Sequence, residues 1–395
     1  MPLQAVYLDY QASAPLDPKV RLAMSEAYDA PGSASSEEHG FGWAAAARVE
    51  WARKAVADSV CALPEEVTFT SGATEANNIA LLGAAMAAPV TRRRILISAI
   101  EHKSVSAAAF AAERWGFAVE IVPVTREGRV DPAELASRLS DDVAIVSMMA
   151  VNNEVGTIQP VAELGRLARA VGAFFHVDAT QALAALDVDM IQWGADALSL
   201  SGHKIHGPGG VGALVVGVDA PWRPLPIMHG GGQEQGLRPG TLPVPLCVGL
   251  GEACRQTALA GEGGRLRAAE LRDLLGDRLK LAAPDMEVSC ESVARHPGCL
   301  HVRLPGISAS DLLQRLQPHV AASTGSACTS GIIGPSHVLL ALGMTTEQAS
   351  ECLRFSVGRF STRAEVEFAA ERVCSSLQSA KAIRSSTTDI DAVSA

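Results

Sequence analysis

Ser199-Leu200-Ser201-Gly202-His203-Lys204 sets one lysine directly after an apolar run, next to a histidine and a Gly-rich turn. Burying a lysine is costly unless its amine is used, and one established use is a Schiff base with an aldehyde. Upstream, His176-Val177-Asp178-Ala179-Thr180-Gln181 closes another apolar run with a carboxylate. Working outward, continuous apolar runs recur at 66–70, 94–98, 118–122, 143–149 and 173–178, separated by helical stretches. Runs at 195–201 and 212–216 continue the series. Strands buried on both faces read this way, and their alternation with helices predicts an α/β fold with a mostly parallel sheet covered by helices on both sides.

In open sheets of this kind ligands sit at the carboxyl ends of the strands. Five expected strand ends carry polar clusters: Ser71-Gly72-Ala73-Thr74, Glu101-His102, Asn152-Asn153, Asp178 and Lys204. Their convergence argues more strongly for a site than any one of them. Composition frames the rest. A chain of 395 residues, 48% hydrophobic, exceeds one small core, so a large domain at 13–259 and a small α+β domain from 1–12 with 260–380 are expected. A short strand is expected at 6–9, and helices at 41–63 and from 242 to about 282. Residues 381–395, rich in Ser, Thr and Asp, read as a flexible tail.

The net charge of −10 argues against direct nucleic-acid binding through a basic face, and Arg92-Arg93-Arg94 reads as a solvated cluster. No apolar run suits a membrane span, and the start of the chain lacks a basic region followed by an apolar one, so a cytoplasmic location is expected. The eight cysteines show no C-x-x-C pair and no metal spacing, and no metal site is expected. Most should be reduced and buried.

Each candidate residue has a plainer account beside the functional one. Thr74 opens a helix where backbone N–H groups suit a phosphate, with Gly72 allowing close approach; a simple N-cap fits equally. His102 can stack on a flat ring or shuttle protons, or be a surface histidine. Asn152-Asn153 is a ligand-holding amide or a turn. Asp178 is a partner for a pyridine nitrogen, as pyridoxal phosphate requires, or an N-cap. Lys204 is the amine for that aldehyde or an exposed loop lysine; Ser201 and His203 would bind phosphate beside it. The loop from Gly230 to Thr241 is a connector or a close approach to a ligand or partner. Cys328, in Gly325-Ser326-Ala327-Cys328-Thr329-Ser330, is a mobile nucleophile or an incidental thiol. Arg354, in Leu353-Arg354-Phe355-Ser356, grips a substrate carboxylate or makes a structural salt bridge.

Taken together, the chain resembles the cysteine desulfurases of the NifS/IscS type, within the fold-type I, class V aminotransferase-like pyridoxal phosphate enzymes. The resemblance runs from Tyr7-Leu8-Asp9-Tyr10 to about Val373. It rests on Thr70-Ser71-Gly72-Ala73-Thr74-Glu75, Glu101-His102-Lys103, Val151-Asn152-Asn153-Glu154-Val155-Gly156, His176-Val177-Asp178-Ala179-Thr180-Gln181, Ser201-Gly202-His203-Lys204, Leu237-Arg238-Pro239-Gly240-Thr241 and the Cys328 loop, in family order.

The resemblance implies a Schiff base on Lys204, His102 stacked on the cofactor ring, Asp178 at its nitrogen and Gln181 at its phenolic oxygen. Ala73, Thr74, Ser201 and His203 would hold the phosphate, with Thr241 reaching it from the neighbouring subunit of a homodimer with shared active sites. Asn153 and Arg354 would hold L-cysteine, Asn153 also lying against the cofactor. Cys328 would take the sulfur as a persulfide, releasing L-alanine, and pass it to an acceptor protein. That acceptor would serve iron–sulfur assembly, tRNA thiolation or DNA phosphorothioation. Selenocysteine lyase, cysteine sulfinate desulfinase and a non-enzymatic scaffold are the alternatives. Where the family usually has Gly-Asn-Pro-x-Ser, this chain reads Gly32-Ser33-Ala34-Ser35-Ser36.

Overall fold

The computed structural model describes residues 5–325 and 334–393, with side chains described as far as residue 379. Twelve strands are present among the described residues. They are β1 (Val6–Tyr7), β2 (Val67–Thr70), β3 (Arg94–Ser98), β4 (Ala118–Val122), β5 (Val143–Met149), β6 (Phe174–Asp178), β7 (Ala197–Ser201), β8 (Gly212–Val216), β9 (Glu287–Val288), β10 (Cys299–Arg303), β11 (Val320–Ala321) and β12 (Cys352–Ser356). Seven form one sheet in the order β2-β8-β7-β6-β5-β3-β4. β5, β6, β7 and β8 are buried along their whole length, which is why they read as unbroken apolar runs.

The pairings from β7 through β6, β5 and β3 to β4 are all parallel, whereas β8 is antiparallel to both β7 and β2. β2 therefore runs the same way as β7. The carboxyl ends of β2, β3, β5, β6 and β7 open on one edge of the sheet. Helix Val161–Ala170 shows how the faces are covered: Val161, Leu164, Gly165 and Ala168 form its buried stripe.

A second core is separate. Val6 and Leu8 join Ala268, Leu271, Leu275 and Leu279, together with Val302, Leu353 and Phe355. Here β10 lies between β12 and β9 in an antiparallel sheet, and β1 pairs with β11 in parallel. Helix Val244–Ala282 spans both cores. Cys247, Leu250 and Ala253 pack in the first and Leu275 and Leu279 in the second. Between them the helix breaks at Gly261 (φ 49, ψ −148), a conformation that a side chain would strain.

The stretch expected as a tail is helical as far as Val393, as part of helix Arg363–Val393. That helix starts on a reciprocal cap: Thr362 Oγ1 accepts from Glu365 N, and Glu365 Oε2 accepts from Thr362 N. Val366, Ala369, Ala370, Val373 and Leu377 anchor its first turns in the second core. Once a helix is nucleated, each further residue costs little, so polar composition alone does not end it.

Candidate active site

The five strand ends meet around one cavity of about 450 Å³. β2 delivers Ser71, Gly72, Ala73 and Thr74; β3 delivers His102; Asn153 follows β5; Asp178 ends β6 and Gln181 follows it; Ser201, His203 and Lys204 close β7. Arg354, from β12 of the second core, lies across from them. Thr241 is exposed and is not among the residues lining this cavity. Cys328 lies outside the described residues.

Local geometry shows how each group is held. Gly72 (φ +150) allows the turn into the helix that starts at Ala73, and a Cβ on it would meet nothing within 4 Å. Its missing side chain leaves backbone open to the cavity. His102 caps helix Lys103–Ala111, with Nδ1 accepting from Ser104 N at 3.1 Å and pairing with Ser104 Oγ at 2.7 Å. Asp178 is buried; Oδ2 accepts from Asn77 Nδ2 at 2.9 Å and Oδ1 from Thr180 N at 3.0 Å. Among the described residues no helix follows it before Met190, so the N-cap account does not hold: its bond to Thr180 N closes a turn, and its place is in the site. Gln181 Nε2 donates to Gln11 O at 2.9 Å. Lys204 Nζ donates to the carbonyls of Gln11 and Ala12 at 2.7 and 2.8 Å.

Burial, aided by the positive Lys204, holds the His203 imidazole down to about 4, so it is neutral at physiological pH. Next to His102 in the chain, Glu101 is wholly buried, accepting from Ser98 Oγ and Met149 N. Burial pushes it up to about 8, with the nearby Asp178 adding to the rise.

Arg354 realises part of the structural account. Its Nη2 pairs with Asp9 Oδ1 at 2.6 Å and donates to Ser323 Oγ at 2.9 Å, and its Nη1 donates to Asn153 O. The loop around Gly230–Thr241 is tied to the sheet rather than free. Arg238 pairs with Glu75 at 2.8 Å, and buried Glu234 pairs with Arg53 at 2.7 Å and accepts from Phe69 N. Sequence reasoning missed Gln11, Asn77 and Asp9. Asn77 sits one turn into a helix that starts at a strand end, a position that could have flagged it. Asp9 and Gln11 meet partners 170 or more residues away, and no local signal marks them.

The Aminotransferase class-V family profile matches residues 6–368. The chain belongs to the class V aminotransferase family. Within it, the relatives are cysteine desulfurases of the NifS/IscS type. The chain is 41% identical over 377 residues to cysteine desulfurase IscS of Pseudomonas entomophila (strain L48), covering 93% of this chain and 92% of that protein. It is 39% identical over 371 residues to the cysteine desulfurase of Homo sapiens, covering 94% and 81%. A solved NifS-like protein superimposes with a TM-score of 0.88 at 32% identity, covering 95% and 100%. SspA, solved in complex with cysteine, superimposes with a TM-score of 0.79 at 30% identity, covering 91% and 100%.

This class V aminotransferase-family protein is therefore an enzyme that depends on pyridoxal phosphate. The residues present fit that group. The cavity offers an amine in Lys204, a buried carboxylate in Asp178 and hydroxyls in Thr74 and Ser201. Thr180 also lines it, and its hydroxyl is buried with no hydrogen-bond partner among the described residues.

Proposed function

We propose that the protein is a cysteine desulfurase that converts L-cysteine to L-alanine and leaves the sulfur as a persulfide on Cys328. The observation that carries this reading is the meeting of Lys204, Asp178, His102 and Arg354 around one cavity. When bound, pyridoxal phosphate supplies the electron sink for carbanion chemistry. Lys204 would hold it and carry protons. Asp178, fixed by Asn77, would face its ring nitrogen, His102 would stack on the ring and move a proton, and Gln181 would face its phenolic oxygen. Ala73, Thr74, Ser201 and neutral His203 would receive its phosphate, with Thr241 contributed to the neighbouring site of a homodimer. Asn153 and Arg354 would orient the substrate carboxylate.

In the sulfur step the Cys328 thiolate forms an S–S bond to the substrate sulfur as the C–S bond breaks. The electron pair of that bond stays with carbon, which takes a proton to become the methyl group of L-alanine. The other thiols argue by contrast. Each of the seven described cysteines is pushed above its ordinary pKa, first by burial, with Cys247 reaching about 12. None of the seven lines the cavity. Such thiols are poor nucleophiles at neutral pH.

The reading includes a large domain at 13–259, a small one at 1–12 with 260–380, and a cytoplasmic location. Among the described residues no helix is long and apolar enough to cross a membrane. The persulfide would go to an acceptor protein of iron–sulfur assembly, tRNA thiolation or DNA phosphorothioation, and transfer of radiolabelled sulfur to purified candidates separates these. The decisive variant is Cys328→Ser. It should keep the bound-cofactor spectrum yet lose alanine formation from L-cysteine. Retained turnover would instead favour selenocysteine lyase or sulfinate desulfinase chemistry, which depends less on an enzyme thiol.

A further inference from the structure

The Ser71–Thr74 turn, assigned to the cofactor phosphate, is followed at once by an anion. Glu75 lines the cavity directly after Thr74. Its Oε2 accepts from Ser71 N at 2.6 Å, so the carboxylate folds back on the turn it follows. The groups assigned to the phosphate bring no charge to set against it. Ala73 offers only its backbone, Thr74 and Ser201 offer hydroxyls, and His203 is held neutral at physiological pH by burial and by Lys204. A phosphate monoester carries about −1.5 to −2 charges at neutral pH. A carboxylate beside such a group, at a partly buried site, is strongly unfavourable unless a cation balances it.

Arg238 supplies that cation. Its Nε donates to Glu75 Oε1 at 2.8 Å and its Nη2 to Oε2 at 3.4 Å, a two-pronged grip on one carboxylate. Their side chains are only 20% and 13% exposed. Burial alone would raise the Glu75 carboxyl, yet the hydrogen bonds from Arg238 and Ser71 hold it below its ordinary value, so it is ionised. Arg354, also in the lining, is already paired with Asp9. Arg238 is not itself among the residues lining the cavity, so it reaches the turn through Glu75. Its loop is held under backbone strain. Glu234 and Gln235 keep left-handed φ values of 50 and 57, fixed by the pairing of buried Glu234 with Arg53 and by its bond from Phe69 N. Strain of this kind persists where surrounding contacts over-determine a position that matters.

We infer that Arg238 is a positioning residue for the cofactor phosphate, neutralising Glu75 so that the Ser71–Thr74 turn accepts a dianion on uncharged donors. The inference rests on the placement of the phosphate at that turn, and not on the identity of the amino-acid substrate. At the effective dielectric constant of a protein surface, leaving the carboxylate unbalanced predicts a loss of phosphate affinity of about tenfold or more.

The test titrates the full-length protein, freed of cofactor, with pyridoxal phosphate and with pyridoxal, following cofactor absorbance. Pyridoxal has the same ring and aldehyde but no phosphate. Arg238→Met should weaken pyridoxal phosphate about tenfold or more and pyridoxal by less than about twofold, the difference shrinking as salt is raised. Glu75→Gln should bind pyridoxal phosphate at least as tightly as the native protein. The double variant, Arg238→Met with Glu75→Gln, should regain most of what Arg238→Met loses. Equal losses for the two ligands in Arg238→Met would make the ion pair a structural tie and overturn the inference. So would unchanged affinity for pyridoxal phosphate in that variant, or a double variant as weak as the single one. Should Arg238→Met fail to fold, Glu75→Gln decides, and weaker binding of pyridoxal phosphate there overturns the inference. Thr74→Val probes the placement beneath it. If that variant binds pyridoxal phosphate as the native protein does, the phosphate lies elsewhere and the inference falls with the placement. If it binds more weakly while Arg238→Met is unchanged, the role of Arg238 falls alone.

Discussion

The two sheets serve the cavity in different ways. The seven-stranded sheet contributes groups at the ends of its strands, where the chain leaves a buried, hydrogen-bonded ladder and turns. Asp178 and Lys204 are placed by the topology of a sheet whose central strands are entirely buried. The three-stranded sheet contributes Arg354 from the middle of β12, opposite His301 on β10. There, position depends on partners: Asp9, Ser323 and the Asn153 carbonyl hold the guanidinium. One region positions by architecture and the other by a network of charges and hydrogen bonds. Substitutions in the first should therefore affect chemistry, and substitutions in the second should affect substrate affinity and stability together.

The largest effect should come from the first region. Lys204→Ala should abolish stable cofactor absorbance and lower turnover by about four orders of magnitude, with little change in melting temperature. Retention of the chromophore would break the comparison at its strongest point. In the second region Arg354→Ala should raise the KM for cysteine by about 30-fold or more. It should also lower stability by about 3 kcal/mol, because Asp9 loses its counter-ion. A KM effect with no cost in stability would mean that the network is ornamental.

Glu101, buried just beyond the end of β3 in the first region, sharpens the contrast through pH. Its folded-state value is pushed up from 4.5 to about 8. The stability it contributes is fully present below about 4.5 and is lost as pH rises through about 8. Glu101→Gln imitates the protonated acid. It should match the native protein in melting temperature near pH 4 and exceed it near pH 9, as followed by thermal denaturation. The smallest effect is expected at the junction. Gly261→Ala places a side chain at φ 49, ψ −148 and should cost about 1–3 kcal/mol, with both sheets intact by circular dichroism.

The difference between the regions also explains what could be read in advance. Buried strands announce themselves as apolar runs, so the large sheet and the residues at its ends were legible, down to Lys204 and Asp178. The direction of β8 was not, because a strand buried on both faces has the same apolar pattern whichever way it runs. Helix Arg363–Val393 continues through a polar stretch because its first turns are anchored. Arg354 was legible as a buried cation in need of an anion, but Asp9 was not legible as that anion.

By itself, the sequence determined the alternation of strands and helices, the edge of the sheet on which ligands belong, and the residue types gathered there. Each of these follows from local periodicity and from what a strand end does to its neighbours. The tertiary structure alone decided that the segment near the amino terminus crosses to the end of β12, bringing Asp9 to Arg354 and the Gln11 carbonyl to Lys204. Asp9 and Arg354 are 345 residues apart in the chain, and only the pairing of the amino-terminal segment beside β12 within the second core brings them within reach.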